Sequence, residues 1–304
     1  MKNIYWYCPN SIFSSFRNKE DNPSFRLRCL NIHKHLLSEG YNSKIVSTPE
    51  EIVNADVVTL MSFGETEYNL AKRVVSEGGH VLHDYCEDIN GIPILEKTKN
   101  LCSLLICASS YIQMKQQTAY GDKAVLVRDP YELFNVKHNA EYDSDILKVG
   151  WSGMGGNASW VSSLLKPIIE KNNMEYVEIS DRPEATYLWE RSSWYYYLAS
   201  CDVCICPQIH WRTPGKSNVK VTTAMALGLP ILASPLQSYL EIIKDGVNGY
   251  ICYNLEDWEY YLNKLKSKEL RKTLVKTYSS NLTTYSPKAI FLDWLGHVKK
   301  LFEK

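Results

Sequence analysis

The sequence predicts an α/β protein of two domains, each with a parallel sheet covered by helices. Three observations support this prediction. The chain has 304 residues, about the size of two ordinary domains. Short apolar runs alternate with longer helical patterns throughout, as in successive β-α-β units. A polar, aperiodic segment at residues 135–147 separates two such series and is the predicted linker.

The first series, residues 1–134, contains short apolar runs that are typical of parallel strands buried on both faces. Between the first two runs, Phe25, Cys29, Ile32 and Leu36 share one helical stripe that ends at Gly40, which predicts a helix over residues 24–39. The six predicted strands are Asn3–Cys8, Lys44–Val46, Val57–Met61, His80–Leu82, Leu104–Cys107 and Ala124–Val127.

The second series, residues 148–284, repeats the pattern and ends in helices only. Two such Rossmann-like halves predict parallel sheets that face each other across a cleft, with the ligand at the carboxyl ends of the strands. The five predicted strands are Lys148–Trp151, Tyr176–Ile179, Val203–Cys206, Pro230–Ala233 and Gly249–Cys252, and the closing helices are Glu256–Lys266, Lys268–Ser279 and Pro287–Phe302.

The charge balance excludes a protein built to coat nucleic acid or an anionic membrane, because 34 basic residues match 34 acidic ones. The balance is uneven along the chain. Residues 1–147 hold 15 Lys/Arg and 19 Asp/Glu, a net −4, and residues 148–304 hold 19 and 15, a net +4. An anionic ligand is therefore expected on the second half.

Nine cysteines are scattered along the chain, which lacks both a signal-peptide pattern and an apolar run long enough to span a membrane. We therefore expect reduced core thiols in the cytoplasm, or in the host cytoplasm if the protein is viral. Cys201, Cys204 and Cys206 resemble a metal motif, but a buried strand points alternate residues to opposite faces. Core packing is the favoured interpretation, and no metal site is predicted.

Residues 214–234 contain a short helix ending at Leu227, followed by Gly228 at the position where a left-handed residue ends helices. Ser217 or Asn218 is the predicted cap. The amino end also carries Lys216 and Lys220. Exposed backbone N–H groups beside two ammonium groups suit a diphosphate. An ordinary capped helix with solvated lysines is the alternative.

A glycine-rich loop, residues 152–157, lies between a predicted strand and a helix predicted at Ala158–Lys171. Gly153, Met154 and Gly155 are candidate contacts for a bound phosphate or sugar, because glycine lets such a group approach the backbone closely. The alternative is a flexible connecting loop. Arg182, which follows the next strand, is a candidate contact for a nucleotide base.

Residues 227–234 (LGLPILAS) and 239–249 (YLEIIKDGVNG) resemble the carboxyl-domain signature of the GT-B glycosyltransferases, most closely the retaining family four (glycosyl transferases group 1). Residues 216–220, 202–207 and 150–153 extend the resemblance over most of residues 148–280. It implies a metal-independent enzyme without cofactor that moves a sugar from a nucleotide-sugar, most often a UDP-sugar, with retention. It also implies that residues 285–304 form a helix crossing back to the first domain.

Two departures from the family pattern stand out. Gly215 and Thr223 occupy the positions of the usual glutamate pair, and residues 154–157 replace a usual cationic pair. Lys216 and Lys220 therefore become the predicted phosphate partners, together with Ser217 and Asn218. The missing glutamates also leave open a catalytically silent nucleotide-sugar-binding module, and a nucleotide-sugar epimerase of similar architecture is a further alternative.

By resemblance, His83 and Asp84 match a His-Asp pair near the reacting sugar. His83 is expected to hydrogen-bond the sugar, and Asp84 or Glu87 to bind acceptor hydroxyls or act as a base. A strand-end histidine satisfied by a neighbouring carboxylate is the alternative.

The resemblance also brings the segment after the first strand close to the donor phosphates or the acceptor. Ser24, Arg26 and Arg28 are expected over the cleft, where cations would stabilise the leaving diphosphate, and Arg17 lies in the preceding loop. The alternative is an amphipathic helix with solvated arginines. A saccharide or glycoconjugate is the favoured acceptor. A hydroxymethylated base in phage DNA is the second choice, because these arginines with Lys216 and Lys220 could form a basic cleft.

Overall fold

The computed structural model describes residues 2–16, 18–85, 88, 91–132, 135–137, 146–208 and 214–303. The chain divides into two compact units. The first unit contains Met1–Pro130, Gly215–Ser217 and Tyr285–Lys304, and the second contains Tyr131–Pro214 and Asn218–Thr284. The division after Pro130 lies a few residues before the predicted linker, of which residues 138–145 lie outside the described residues.

Twelve strands and twelve α-helices are present in the described residues. The strands are β1 (Asn3–Tyr7), β2 (Asn42–Val46), β3 (Val57–Leu60), β4 (His80–Tyr85), β5 (Leu104–Cys107), β6 (Ala124–Leu126), β7 (Lys148–Ser152), β8 (Glu175–Ser180), β9 (Tyr187–Leu188), β10 (Val203–Cys206), β11 (Ile231–Ala233) and β12 (Tyr250–Ile251). The helices are α1 (Asn31–Ser38), α2 (Glu65–Ser76), α3 (Pro93–Leu101), α4 (Ser110–Tyr120), α5 (Gly155–Lys171), α6 (Trp194–Ala199), α7 (Val219–Leu227), α8 (Gln237–Leu240), α9 (Leu255–Lys264), α10 (Lys268–Val275), α11 (Tyr278–Thr284) and α12 (Pro287–Lys299).

The first sheet has six parallel strands in the order β2-β1-β3-β4-β5-β6. Because successive side chains of a strand point to opposite faces, β1 contributes to two cores. Ile4 and Trp6 pack on one face with Trp294 of α12, whereas Tyr5 and Tyr7 pack on the other with residues of α2. Both faces are covered, so the predicted buried strands are confirmed.

The second sheet is also parallel and six-stranded, in the order β12-β11-β10-β7-β8-β9. Its main core joins Val149 and Trp151 of β7 to Val161 and Leu165 of α5 and to Trp258 of α9. The sequence missed only the two-residue β9, because Tyr187 and Leu188 are both exposed and form no apolar run. Two parallel α/β units confirm the predicted fold class.

Several helices differ from their predictions. Residues 24–39 are not one α-helix, since Phe25–Leu30 forms a π-helix before α1 begins. α5 begins at Gly155 rather than Ala158, so two of the predicted loop glycines form its first turn. The helix predicted at 268–279 ends at Val275. By contrast, Gly228 ends α7 in the predicted left-handed conformation, with φ of 79°.

Helices able to cross a membrane, long and apolar enough for that role, are absent from the described ranges. The eight cysteines that the structure describes are all buried free thiols, which agrees with the expected core role.

Candidate active site

Each sheet has one point where the strand order reverses. In the second sheet this point lies between β7 and β10, and in the first sheet between β1 and β3. Open parallel sheets bind ligands beyond the carboxyl ends of the strands at such a point. The candidate residues of each unit are therefore described around its own reversal point.

Gly153 directly follows β7 in a crowded position. A Cβ atom on it would lie 2.5 Å from Cζ2 of Trp151 and 2.8 Å from Nζ of Lys220. That ammonium donates to the carbonyl of Ser152 at 2.6 Å and lies 4.7 Å from the centroid of the Trp151 ring. Only glycine fits between the indole and the ammonium. The absence of a side chain at 153 therefore leaves room for the Lys220 ammonium at the end of β7.

Lys220 lies in the first turn of α7, which contains no acidic residue. This is unfavourable for an isolated helix, because the N-terminus carries partial positive charge and attracts anions rather than cations. Two positive features at one point become favourable when an anion binds between them. The first turn of α7 therefore has the charge of an anion site.

Asn218 precedes α7 and is 1% exposed. The prediction that it or Ser217 caps the helix is wrong, because no side-chain bond caps α7. Asn218 has helical backbone angles, φ −79° and ψ −3°, whereas a capping residue needs the extended region. Its side-chain amide nitrogen and oxygen are both buried without a hydrogen-bond partner in the described part of the chain. Buried amides without partners are uncommon and point to a missing ligand or water.

The N-terminus of α5 is arranged differently. The amide of Gly155 donates to the Asp181 carboxylate, and a Cβ on Gly155 would lie 2.7 Å from Cγ of Arg182. The protein's own carboxylate thus takes the place of an anion there. Met154 is 59% exposed at the start of this turn. The Arg182 guanidinium lies 3.3 Å from Glu184 and 3.9 Å from Glu178.

Lys216 and Ser217 are grouped with the first unit, not with Lys220 and Asn218. The neighbouring Gly215 accepts a hydrogen bond from the Ser109 hydroxyl at 3.0 Å within that unit. A Cβ on Gly215 would lie 3.0 Å from Ile112 and 3.3 Å from Asp88, so a glutamate would not fit this position without a shift. The structure therefore explains one departure from the expected glutamate pair.

The first unit contains a pocket of about 570 Å³ at the reversal point between β1 and β3. It combines hydroxyl, carboxylate and aromatic side chains from the ends of β1, β3 and β4, the start of α2 and the segment before the π-helix. The lining residues are Tyr7, Pro9, Ser11, Ile12, Asn22, Ser24, Phe25, Met61, Ser62, Phe63, Thr66, Glu67, His83 and Asp84.

His83 lines this pocket and is 3% exposed. Burial disfavours its charged form, and the positive charge of Lys99 adds to this effect, which lowers the pKa of His83 to about 4. The imidazole is therefore neutral near pH 7. It can exchange hydrogen bonds with a hydroxyl but does not supply a positive charge.

Asp84 also lines the pocket, but its carboxylate is bound to an arginine. Nε of Arg28 donates to Asp84 at 2.5 Å, and Nη1 donates to Asp129 at 2.6 Å and to the Val127 carbonyl at 3.0 Å. Arg28 is 3% exposed. The expectation of Arg28 as a cation over a cleft is therefore corrected, because the π-helix turns it inward between two carboxylates.

The remaining predicted residues of the first unit are placed as follows. Ser24 is half-buried and lines the pocket, and Nη1 of Arg26 donates to the Glu20 carbonyl at 2.5 Å. Arg17 and Glu87 lie outside the described residues. A group of three or more His, Cys, Asp or Glu side chains able to hold a metal ion does not occur in the part of the chain that the structure describes.

Comparisons with known proteins agree with the fold described above. Sucrose-phosphate synthase from Thermosynechococcus elongatus superimposes with a TM-score of 0.74 at 11% identity, over 100% of both chains. Anabaena Alr3699/HepE in complex with UDP-glucose gives 0.63 at 12% identity, over 99% of this chain and 100% of that one. Residues 171–267 match the family described as glycosyl transferases group 1. The chain has the GT-B fold.

Two further comparisons qualify the relationship. S. aureus TarM superimposes with a TM-score of 0.60 at 10% identity over 79% of this chain, which spans 54% of the TarM chain. No curated protein matches the sequence. The structural likenesses, all at low identity, establish the fold.

The first-unit pocket also contains residues that sequence reasoning missed. Tyr7, Ser62, Thr66 and Glu67 line the first-unit pocket, and none belongs to a recognisable motif. One signal could have found them. β1 and β3 flank the predictable reversal of the strand order, so the residues that follow them were candidates from topology alone.

Proposed function

We propose that the protein is a glycosyltransferase, which transfers a sugar from a UDP-sugar to an acceptor hydroxyl. Two observations carry the proposal: Lys220 is a cation in the first turn of α7, and Asn218, which directly precedes that helix, has a buried amide without a hydrogen-bond partner among the described residues. This arrangement suits the diphosphate of a nucleotide-sugar. The choice of UDP is supported by the fold neighbour HepE, whose structures were determined with UDP and with UDP-glucose.

Negative charge develops on the diphosphate as the sugar leaves. A preorganised ammonium and helix N-terminus stabilise that charge without a metal ion, which is the role we assign to Lys220 and α7. We further propose that the reaction retains the anomeric configuration, with the leaving phosphate assisting removal of the acceptor proton. Lys216 is a second candidate phosphate partner, and Arg182 is the candidate contact for the base.

We propose a saccharide or glycoconjugate as the acceptor, with its hydroxyl near His83. A neutral imidazole suits a hydrogen bond to an uncharged sugar. A cytoplasmic location is part of the proposal, and it is favoured by the eight buried free thiols among the described residues.

The test is release of nucleotide from a panel of UDP-glucose, UDP-galactose, UDP-N-acetylglucosamine and GDP-mannose, with a mixture of simple saccharides as acceptors. The matched variants are Gly153→Ala and Gly156→Ala. A methyl group at 153 displaces Trp151 or Lys220, whereas at 156 it meets nothing within 4 Å. We expect kcat/KM for the donor to fall about 100-fold in Gly153→Ala and to stay within about 2-fold in Gly156→Ala.

Turnover with UDP-sugars but not with GDP-mannose, unchanged by EDTA, would support the proposal. Product NMR would report retention. Absence of nucleotide release by the wild type with every donor would overturn the transferase proposal. Equal activity of Gly153→Ala and the wild type would remove the assigned role of the Lys220 site.

A further inference from the structure

The first-unit pocket contains two carboxylates, which differ in their surroundings. Asp84 is bound by the Arg28 guanidinium at 2.5 Å. Glu67 is 6% exposed, and its Oε1 accepts a hydrogen bond from the Ser62 hydroxyl at 2.5 Å. Burying a carboxylate beside a hydroxyl rather than a cation is costly, so the charge of Glu67 calls for an explanation.

The backbone at the start of α2 leaves room for this carboxylate. Gly64 immediately precedes the helix, and a Cβ there would lie 2.9 Å from Oε2 of Glu67. A side chain at 64 would therefore crowd the carboxylate. Glu67 is also in the first turn of α2, where the helix dipole favours a negative charge. The helix dipole explains why the charge of Glu67 is tolerated, but it does not explain why the Glu67 side chain lines a pocket.

The pocket chemistry indicates what Glu67 binds. Ser24, Ser62 and Thr66 add hydroxyl groups, and Phe25 and Phe63 add aromatic surface. None of the lining residues that the structure describes is a lysine or arginine. The Glu67 carboxylate would repel a phosphate group, because the described lining residues supply no cation to balance the two negative charges. A neutral hydroxyl group can instead donate a hydrogen bond to the carboxylate.

We propose that Glu67 receives a hydroxyl of an uncharged saccharide acceptor in the pocket at the β1–β3 reversal point. This inference rests on the proposed function and adds a pocket and a binding residue for its acceptor. Ser62 orients the carboxylate, and the acceptor donates its hydroxyl hydrogen to Glu67. Glu67 is a binding residue in this scheme, so its loss weakens acceptor binding while the donor reaction remains.

The experiment compares Glu67→Gln with Glu65→Gln. Glu65 is in the same first turn and loses the same favourable dipole interaction, but it is exposed and does not line the pocket. Two rates are measured for each variant: UDP release from UDP-glucose in water alone, and transfer to methyl glucoside, methyl galactoside and lactose. A duplex oligonucleotide with 5-hydroxymethylcytosine serves as the alternative acceptor.

We expect Glu67→Gln to raise the acceptor KM about 10-fold or more. The donor KM and the release of UDP in water should stay within about 2-fold, and Glu65→Gln should match the wild type. If Glu67→Gln does not fold, Ser62→Ala is used instead, with an expected 3- to 10-fold rise in acceptor KM, since Ser62 orients the carboxylate.

Four results would overturn the inference. An unchanged acceptor KM in the folded variant would show that Glu67 does not bind the acceptor. Preferred transfer to the oligonucleotide, or UDP release that no saccharide accelerates, would exclude the acceptor class while leaving the donor reaction intact. Failure of the wild type to release UDP from any donor would instead overturn the proposed function, and the inference with it.

Discussion

At the scale of single residues, His83 makes stability depend on pH. The native imidazole has a pKa of about 4, against about 6.5 when exposed in the unfolded chain. Above pH 6.5 both states are neutral, and the full stability is present. As pH falls from 6.5 toward 4, the unfolded chain binds a proton that the native state does not. The free energy of unfolding should therefore fall by ~1.4 kcal/mol per pH unit, about 3 kcal/mol in all.

Urea unfolding of the wild type and of His83→Asn at pH 7.5, 6.5, 5.5 and 4.5 measures this effect. Other groups titrate equally in both proteins, so the difference between the two curves isolates His83. We expect the free energy of unfolding of the wild type to fall relative to that of His83→Asn as the pH falls below 6.5. A difference that is constant across the range would contradict a buried, neutral His83.

At the scale of elements, the π-helix at Phe25–Leu30 places Arg28 between Asp84 and Asp129. Arg28→Met would leave two carboxylates with little access to water and without their cation. We expect a loss of ~3–5 kcal/mol in the free energy of unfolding. The triple variant Arg28→Met/Asp84→Asn/Asp129→Asn removes all three charges together and should regain much of that loss. The free energies of unfolding are measured in urea at pH 7.5. A triple variant that is less stable than Arg28→Met would contradict stabilisation of the cluster by charge pairing.

The same element shows what the sequence could and could not predict. Apolar runs identified eleven of the twelve strands, because a parallel strand buried on both faces must be apolar. The stripe of Phe25, Cys29, Ile32 and Leu36 predicted a buried helical face but not the wider π turn that also buries Arg28. In that turn Arg28 binds Asp84 and Asp129, 56 and 101 residues away. Periodicity reports on neighbours along the chain, whereas such pairings are tertiary.

The candidate site followed the same rule. Gly153 and Lys220 could be singled out because glycine after a strand and lysine beside a helix start are local signals. Glu67 could not, since a glutamate in a first helical turn is common and its pocket is formed by three strand ends. The predicted cap at Asn218 failed next to the candidate anion site, and local rules are expected to fail at functional sites.

At the scale of the whole molecule, the chain begins and ends in the same unit. α12 follows the second unit in sequence but belongs to the first, where Trp294 stacks on Trp6 with ring centroids 5.6 Å apart. Trp294 is fully buried, whereas Leu292 on the same helix is 52% exposed. The first unit therefore contains a core that only the last twenty residues complete, and each unit has its own sheet.

This arrangement predicts that damage to α12 is confined to the first unit. Trp294→Ala should cost ~3–5 kcal/mol, a large share of the ~5–15 kcal/mol that stabilises a typical domain. Hydrogen exchange followed by mass spectrometry should show faster exchange in β1–β6, with β7–β12 close to the wild type, and Leu292→Ala should leave both unchanged. Equal acceleration in both sheets would mean that the chain unfolds as one cooperative body. Confinement to the first sheet would mean that the second unit is stable through its own core.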